Sequence, residues 1–398
     1  MTQADTTAVG SPSAAATAAR HFGRPRPDIT RLPSLTGLRF PAALLVFLFH
    51  TGQPSPSLRL LQDDKAAMDY FKVTASAGAL GVTFFFVLSG FVLTWSAREK
   101  DLARDFWRRR FVKIYPNYAI TWALAMVLFA SVYTPTRIAL ANLFMVHVWV
   151  PKAEFLSSVN TPSWSLACEL VFYAAFPLLH KLFLRIRPEH VKVWITGAIA
   201  AVMATPFLTY ALMPDTPTLP GGAVLGAKGT VEQYWITYIL PPSRMLDFAL
   251  GMLVALAVKN GRWRNVGIIW SSVLLAGGYV LCSYVPFLYA QRSVTIIPVI
   301  FLIAAAATAD ANERFTLFRN RTMVFLGEIS FAFYLLHYIV LGCGRKVLDG
   351  NFSPAQVAGL VTAQLAITVF LSWVLYALVE RPITRRFSKP RRPRAATG

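Results

Sequence analysis

Long apolar stretches alternate with short polar segments along most of the chain. A hydrocarbon core of about 30 Å requires about 20 consecutive apolar residues in a helix. The pattern therefore predicts a polytopic, all-α membrane protein with about ten transmembrane helices. The predicted spans are 36–53, 78–97, 114–133, 164–184, 191–213, 234–258, 264–285, 292–309, 323–343 and 354–379.

One further apolar stretch, 137–150, is short and begins at Arg137. We interpret it as a re-entrant or interfacial helix, because a full crossing there would reverse the side of every later basic loop. Lys and Arg favour the cytoplasmic side of a membrane. With ten crossings, one side holds 29 of the 39 Lys and Arg and the other side 8, with Arg137 and Arg244 inside apolar segments. The chain is therefore expected in the cell membrane with both termini cytoplasmic.

Composition supports this class of protein. The chain is 55% hydrophobic and only 15% charged, whereas soluble domains carry about 25% charged residues. A net charge of +20 would suggest nucleic acid in a soluble protein. Here the apolar spans separate the basic clusters, so we expect a lipid bilayer as partner and no nucleic acid.

Three regions follow from the same pattern. Residues 1–35 lack an apolar run and predict a disordered cytoplasmic tail. Residues 36–380 form one membrane domain, and 381–398 form a basic cytoplasmic tail. The three cysteines are scattered within apolar runs, a spacing that predicts neither a metal site nor a disulfide framework.

Ionisable residues within the spans are the candidates for chemistry, because a charge inside a membrane is costly. Arg39 and His50 lie eleven residues apart, so both side chains fall on one face of the first helix, about 16 Å apart. An imidazole can take a proton from a hydroxyl near neutral pH. The alternative is that Arg39 is a topology anchor and His50 an interfacial polar group.

A basic cluster enters the third span at Arg108, Arg109, Arg110 and Lys113, and Tyr115 follows. Arg binds phosphate through two parallel hydrogen bonds, and Tyr can stack on a nucleotide base. The cluster is therefore a candidate site for a phosphorylated cofactor. The alternative reading of the cluster is a topology signal.

Further polar residues lie in later spans. Glu169, one turn inside the fourth span and close to Trp164, should face a cavity or a cation. Arg244 and Asp247, three residues apart, share a helix face and should pair. In the ninth span Tyr334 and His337 share a face, whereas Glu328 lies on the opposite side from His337.

Seven segments, in this order, resemble the acyltransferase-3 family of integral-membrane O-acyltransferases. They run from about 34 to 386, and the specificity lies in their combination. Leu170 stands where the family often has a second Glu. The segments are Gly37-Leu-Arg39 followed by His50, Phe84 to Phe91 with Ser89-Gly90, Arg109-Arg110-x-x-Lys113-Ile-Tyr115-Pro116, Trp164-Ser165-Leu-Ala-Cys168-Glu169, Arg244-x-x-Asp247-Phe248-x-x-Gly251, Leu326-Gly327 to Tyr334 and His337, and Glu380-Arg381-Pro382.

The resemblance implies transfer of an acyl group from cytoplasmic acyl-CoA, a co-substrate rather than a permanently bound cofactor, to a hydroxyl. Acceptors in the family include envelope sugars, glycans and macrolides, and the opening Ser34-Leu-Thr-Gly-Leu-Arg-Phe40 and the tails lean towards the macrolide-modifying branch. On this interpretation the catalytic residues are His50, as general base on the acceptor hydroxyl, and Glu169, which orients either the imidazole or the acceptor, and no metal is required. Arg39, Arg109, Arg110, Lys113 and Tyr115 bind the donor, and Trp164, Arg244, Tyr334 and His337 contact the substrate.

Two rival classes remain at this point. A transporter or flippase for an amphipathic glycan or metabolite could use the same intramembrane charges as a relay, although no internal repeat is visible. A structural membrane scaffold would leave Arg39 and His50 without a role.

Overall fold

The computed structural model describes residues 31–97, 101–219, 229–348, 350 and 352–387, and this part of the chain is a bundle of α-helices. A helix stands at each of the ten predicted spans, which confirms the all-α class. We number these helices α1 to α10. They are α1 Pro33–Gly52, α2 Ala77–Trp95, α3 Ala103–Leu128, α4 Ser163–Phe183, α5 Val191–Leu212, α6 Pro241–Lys259, α7 Ile268–Leu281, α8 Ser293–Ala311, α9 Arg321–Val347 and α10 Pro354–Leu375.

Nine helices within the described residues are long and apolar enough to cross a membrane. The tenth, α7, has 14 residues, which corresponds to about 21 Å of helix. It begins after Gly267, whose φ of 82° no regular helix contains, and ends in a 3-10 turn over Cys282–Tyr284. The predicted span 264–285 is therefore a shorter helix than the sequence pattern suggested.

Two helix boundaries differ from the prediction. Helix α3 begins at Ala103, so the basic cluster is already helical before the apolar run starts. Helix α6 begins at Pro241, and the preceding apolar residues form a π-helical turn, Trp235–Ile239. Proline favours the first turn of a helix, and the residue before it is pushed to extended geometry.

The stretch 137–150 forms a short helix, Thr136–Leu143, followed by a 3-10 turn at His147–Trp149. Eight residues of helix are about 12 Å long, too short to cross a membrane. The prediction of a short helix rather than an eleventh crossing is confirmed.

The bundle has a buried centre and a lipid-facing periphery. Helices α2 and α8 lie at the centre, with 83% and 78% of their apolar windows buried, whereas α5 and α10 bury only 22%. The peripheral helices expose large apolar side chains such as Trp194, Phe207 and Phe370. Exposed apolar faces on long helices are typical of contact with lipid.

Helix α1 packs along both α2 and α9. The approach to α9 is close because Gly327 has no side chain: a Cβ there would lie 1.8 Å from the carbonyl oxygen of Thr36. Small residues let membrane helices pack backbone to backbone. This contact sets the spacing between the two helices that carry His50 and His337.

The two predicted tails are described only in part. Helix α1 already begins at Pro33, before the predicted start of the membrane domain at residue 36, and residues 1–30 lie outside the described part. The basic tail begins as a helix, Arg381–Phe387, and residues 388–398 also lie outside.

Candidate active site

The predicted face of α1 lines two different cavities. Arg39 borders the cavities at one end of the bundle, and His50 borders a cavity at the other end. Eleven residues of helix separate them by about 16 Å. The two ends of this face therefore line different cavities.

A large cavity opens at the Arg39 end, and we call it the basic cavity. It has a volume of about 900 Å³, within the range of about 300–1,000 Å³ typical of ligand sites. The predicted residues Arg39, Arg110, Lys113 and Glu169 all line it. Sequence reasoning missed two further cations, Arg31 and Arg319, together with the acids Asp310 and Glu313, and it named Glu328 without linking it to this site.

Arg31 and Arg319 were counted only as topology residues, because both lie in polar segments outside the spans. Arg31 precedes α1, and Arg319 ends the 3-10 turn Leu317–Arg319 that leads into α9. That turn packs against α1. This contact therefore brings Arg31 and Arg319, which the sequence analysis counted only for membrane topology, to the opening of the basic cavity.

The basic cavity continues inward as a narrow cavity, which we call the neck. The neck has a volume of about 70 Å³ and shares Arg39, Lys113, Glu169 and Tyr173 with the basic cavity. Arg39, Lys113 and Arg110 are the charged neighbours of Glu169. A carboxylate inside a membrane domain is expected to have such cationic partners.

A second carboxylate reaches the same cations from the end of the chain. Glu380 is buried, accepts a 2.8 Å hydrogen bond from Asn117 Nδ2, and has Lys113 and Arg39 as charged neighbours. Glu380 belongs to the Glu-Arg-Pro segment of the resemblance. The position after Glu169, where the family often has a second Glu, is Leu170 here, and Glu380 supplies a second acid to the cluster from another helix.

Two predicted donor residues are not brought to these cavities. Arg109 pairs instead with Asp101, and Tyr115 stacks on Phe111 with ring centroids 4.8 Å apart. Tyr115 lies two residues after Lys113, about 200° around the helix, so it points away from the side that lines the cavity. Neither residue is among those that line the neck or the basic cavity in the described chain. Their donor-binding role stays a prediction.

His50 lines a third cavity of about 170 Å³, which we call the histidine cavity, together with Trp164 and Tyr334. The side chain of His50 is 5% exposed and that of His337 is fully buried. His337 Nε2 lies 3.2 Å from His50 Nδ1, and the carbonyl oxygen of Val46 lies 2.8 Å from the same Nδ1. The structure thus joins two histidines that the sequence placed on separate helices.

Tyr334 lines both the neck and the histidine cavity. Its hydroxyl lies 2.7 Å from Ser165 Oγ and 3.2 Å from the carbonyl oxygen of Pro162. The Ser165 hydroxyl donates to the same carbonyl over 3.0 Å. The predicted residues Tyr334 and Trp164 therefore belong to one continuous site between α4 and α9.

Glu169 does not reach the imidazole of His50. The described partners of His50 are Val46 and His337, whereas Glu169 lies with the cations of the neck. Of the two catalytic roles predicted for Glu169, orienting the imidazole lacks a contact in the structure. A role towards the bound substrates stays a prediction.

Arg244 is fully buried and belongs to an ion network. Its guanidinium lies 3.0 Å from Asp247, as predicted, and is stacked between the rings of Phe86 and Tyr238. Arg292, which sequence reasoning did not single out, also contacts Asp247 at 3.3 Å. Two arginines on one buried aspartate indicate a structural core, and substrate binding by Arg244 stays a prediction.

A fourth cavity, which we call the vestibule, adjoins the histidine cavity. It has a volume of about 940 Å³ and shares Gln53, Ser157 and Thr161 with the histidine cavity. Its lining combines aromatic, hydroxyl and cationic side chains. They include Ser55, Ser57, Phe129, Tyr133, Tyr338, Arg345 and Lys346.

The cavities therefore form a series through the membrane domain, from the basic cavity through the neck and the histidine cavity to the vestibule. The protein is a polytopic membrane helix bundle, and the buried imidazole of His50 between the basic cavity and the vestibule is a candidate site for group transfer.

The family model described as an acyltransferase domain, acyltransferase-3, matches residues 32–377. The chain therefore belongs to the acyltransferase-3 family, and it is a membrane acyltransferase. This confirms the resemblance seen in the sequence motifs.

Curated relatives agree with that assignment. The chain is 37% identical to Acyltransferase MdmB of Streptomyces mycarofaciens, over 92% of this chain and 95% of the relative. It is 23% identical to Peptidoglycan O-acetyltransferase OatA of Listeria monocytogenes, over 89% of this chain and 56% of that relative. It is 25% identical to the putative peptidoglycan O-acetyltransferase YrhL of Bacillus subtilis, over 88% of this chain and 55% of that relative. The chain thus spans about half the length of the peptidoglycan relatives. No solved structure matches the chain.

Proposed function

We propose that this protein transfers an acyl group from acyl-CoA to a hydroxyl of a sugar, a glycan or a glycosylated metabolite such as a macrolide. The observation that carries the proposal is the position of the neck, which shares Arg39 and Lys113 with the basic cavity and Tyr334 with the cavity that His50 lines. It provides a site for an anionic donor at one end and a base for an acceptor hydroxyl at the other.

The basic cavity suits the phosphates of coenzyme A. Arg110 and Lys113 were predicted for this role, and Arg31 and Arg319 add cations from two other segments. Arg grips phosphate with paired N–H donors, which makes a ring of arginines an effective phosphate site. The pantetheine arm then enters the neck beside Arg39 and extends along α1 towards His50.

The chemical step uses His50 as general base. The acceptor O–H gives its proton to the imidazole while the oxygen attacks the thioester carbonyl carbon, which forms a tetrahedral oxyanion. The hydroxyl of Tyr334, at the junction of the two cavities, would turn its single hydrogen from the carbonyl oxygen of Pro162 to that oxyanion, while Ser165 keeps its own bond to the carbonyl. The C–S bond then breaks, the new ester forms, and the coenzyme A thiolate takes the proton from the imidazolium.

The vestibule suits the acceptor. Its aromatic rings can pack on sugar or macrolide faces, and its hydroxyl groups can bond sugar hydroxyls. The names of the peptidoglycan relatives specify O-acetyl transfer to a glycan, which supports a hydroxyl acceptor. The higher identity to MdmB over almost its whole length supports placing this chain nearer to that relative.

The distribution of Lys and Arg supports an orientation with the basic cavity and both termini at the cytoplasm. Acyl-CoA would then reach the basic cavity directly. The vestibule would open on the other face of the cell membrane, so the acceptor would enter from outside.

The alternative of a transporter or flippase is disfavoured by the width of the neck. A volume of about 70 Å³ has room for only a short part of an extended acyl or pantetheine chain, and a glycan or macrolide is far larger. A donor arm and an acceptor can meet there from opposite sides without either crossing.

The test is acyl transfer by the purified protein in detergent, with acetyl-CoA as donor and a glycosylated macrolide as acceptor probe. We expect acetylated product by mass spectrometry and release of the free thiol.

A general base typically contributes 10²–10⁴-fold, so His50→Gln should lower turnover by at least about 10²-fold and leave donor binding near normal. The matched control is His147→Gln, because His147 is buried as deeply as His50 but does not line the histidine cavity. Neither transfer nor thiol release by the wild-type protein would favour the transporter.

A further inference from the structure

His50 and His337 are 287 residues apart in the chain and in contact in the fold, at 3.2 Å between Nδ1 of His50 and Nε2 of His337. Their ring centroids lie 5.0 Å apart. The close packing of α1 against α9 at Gly327 brings them together. The identities of the neighbouring acceptors fix which nitrogen of each ring carries the proton.

The carbonyl oxygen of Val46 decides the tautomer of His50. It lies 2.8 Å from His50 Nδ1, and a carbonyl oxygen can only accept a hydrogen bond. In the neutral ring Nδ1 therefore carries the hydrogen and donates it, and Nε2 keeps the lone pair. The nitrogen that can act as a base is then Nε2.

A second carbonyl decides the tautomer of His337 in the same way. His337 Nδ1 lies 3.3 Å from the carbonyl oxygen of Phe333, so Nδ1–H donates there and Nε2 keeps its lone pair. That lone pair lies at the Nδ1–H of His50. The N–H of His50 thus has two acceptors, one from its own helix and one from α9.

The groups around the pair are tyrosines rather than carboxylates. The ring of Tyr338 lies edge-on to His50 at 5.3 Å, and that of Tyr334 lies 5.7 Å from His337. Two more tyrosines, Tyr234 and Tyr238, line the histidine cavity from the segment before α6. The residues that α2 and α4, with the segment before α4, contribute to the lining carry no charge. They are Gly78, Ala79, Val82, Ser157, Thr161, Pro162 and Trp164. Within the described residues no Asp, Glu, Lys or Arg lines this cavity.

We propose that His337 is a positioning residue for His50, and this rests on the proposed function. It accepts the Nδ1–H bond, holds the His50 ring with Nε2 available to the acceptor, and stabilises the imidazolium formed during transfer. A carboxylate performs this task in serine hydrolase triads. Here a neutral imidazole performs it inside a membrane domain, where a carboxylate would itself require a cationic partner.

The proton balance of the step follows from this arrangement. Nε2 of His50 takes the acceptor proton, and the Nδ1–H bond to His337 becomes a bond from a charged donor. Such charge-assisted bonds are about twice as strong as neutral ones. The proton on Nε2 then passes to the leaving thiolate, and His337 remains neutral throughout.

Two substitutions of His337 separate hydrogen bonding from packing. His337→Leu fills the space but accepts no hydrogen bond, whereas His337→Gln offers an amide oxygen to the same N–H. Turnover is followed as free thiol released from acetyl-CoA in the presence of the glycosylated macrolide. We expect Leu to lower kcat by about 10- to 100-fold, the effect of one charge-assisted bond, with an unchanged KM for acetyl-CoA, and Gln to restore most of the loss.

The pH profile gives a readout that a purely structural role would not move. Loss of an acceptor destabilises the imidazolium, so the acid limb of the kcat profile should move to lower pH in His337→Leu. The limb should stay near its wild-type position in His337→Gln. Equal losses and unmoved profiles in the two variants would overturn the proposal.

A second measurement is independent of turnover. In protein labelled with 15N-histidine, His50, assigned with His50→Gln, should show a protonated Nδ1 and an unprotonated Nε2. The opposite tautomer would contradict the assignment. If His50→Gln keeps its turnover, the proposed base itself is wrong; if His50→Gln is inactive while His337→Leu is normal, only the positioning role fails.

Discussion

The hydroxyl of Tyr334 lies 2.7 Å from Ser165 Oγ, at the wall that the neck and the histidine cavity share. This bond joins α9 to α4 at the place where a donor thioester and an acceptor hydroxyl would meet. Ser165 keeps a second bond to the carbonyl oxygen of Pro162. The pair therefore connects the packing of the bundle to the geometry of the proposed reaction.

Removing that hydroxyl should affect turnover more than stability. In Tyr334→Phe the ring remains and Ser165 keeps its bond to Pro162, so we expect a loss of about 1 kcal/mol in unfolding free energy. Transfer should fall about 10²-fold or more if the hydroxyl stabilises the oxyanion. Ser165→Ala, which leaves the tyrosine hydroxyl in place, is the control and should be mild. Equal effects on transfer in both variants would assign the pair a packing role only.

The cations that line the basic cavity should control donor affinity. Arg110→Gln and Arg319→Gln should each raise the KM for acetyl-CoA, because each removes a phosphate partner worth about 1.5–3 kcal/mol, while kcat changes little. Arg109→Gln is the matched control, since Arg109 pairs with Asp101 instead. A rise in KM for Arg109→Gln as well would support the prediction that Arg109 also binds the donor, and a rise confined to Arg109→Gln would show that the basic cavity is not the donor site.

The ion network at Asp247 should stabilise the folded protein. Asp247→Asn leaves Arg244 and Arg292 buried without a carboxylate, and breaking a buried pair costs about 3–5 kcal/mol. We expect a clearly lower thermal unfolding midpoint in detergent. Asp69→Asn is the control, because Asp69 pairs with Lys72 on an exposed helix face, where such pairs contribute about 0.2–1 kcal/mol. Similar midpoints for the two variants would show that the network contributes no net stability.

Close packing between α2 and α6 should be sensitive to a single methyl group. A Cβ at Gly90 would lie 1.9 Å from the carbonyl oxygen of Phe248, so Gly90→Ala forces the helices apart and should cost about 1–3 kcal/mol. Gly277→Ala in α7 is the control, because nothing lies within 4 Å of its added Cβ. Since Ala is the better helix former, that variant should be neutral or more stable.

Topology can be tested at the short helix α7. In a Cys343→Ser background, Tyr284→Cys should react with an impermeant maleimide on intact cells, whereas Arg262→Cys and Phe315→Cys should not. Tyr284 and Phe315 are each about four-fifths exposed and Arg262 is exposed as well, so all three positions should be reachable from their own side. Labelling of Arg262→Cys and Tyr284→Cys from the same side would show that α7 does not cross.

The sequence by itself determined those features that depend on local periodicity. Ten apolar stretches gave ten helices, and the short stretch after Arg137 gave a short helix. The eleven-residue spacing put Arg39 and His50 on one face, and the three-residue spacing paired Arg244 with Asp247. A helix fixes the angle and rise between its own residues, so these relations follow without knowledge of any neighbour.

Tertiary structure alone decided which helix faces meet. The contact between His50 and His337, the second arginine on Asp247 and the recruitment of Arg31 and Arg319 all join distant segments. The rotation of each helix about its axis depends on how it packs against its neighbours, through close approaches such as that at Gly327. The same rotation turned Tyr115 and Arg109 away from the cavity, because a basic cluster on a helix presents its charges to several sides and packing selects one.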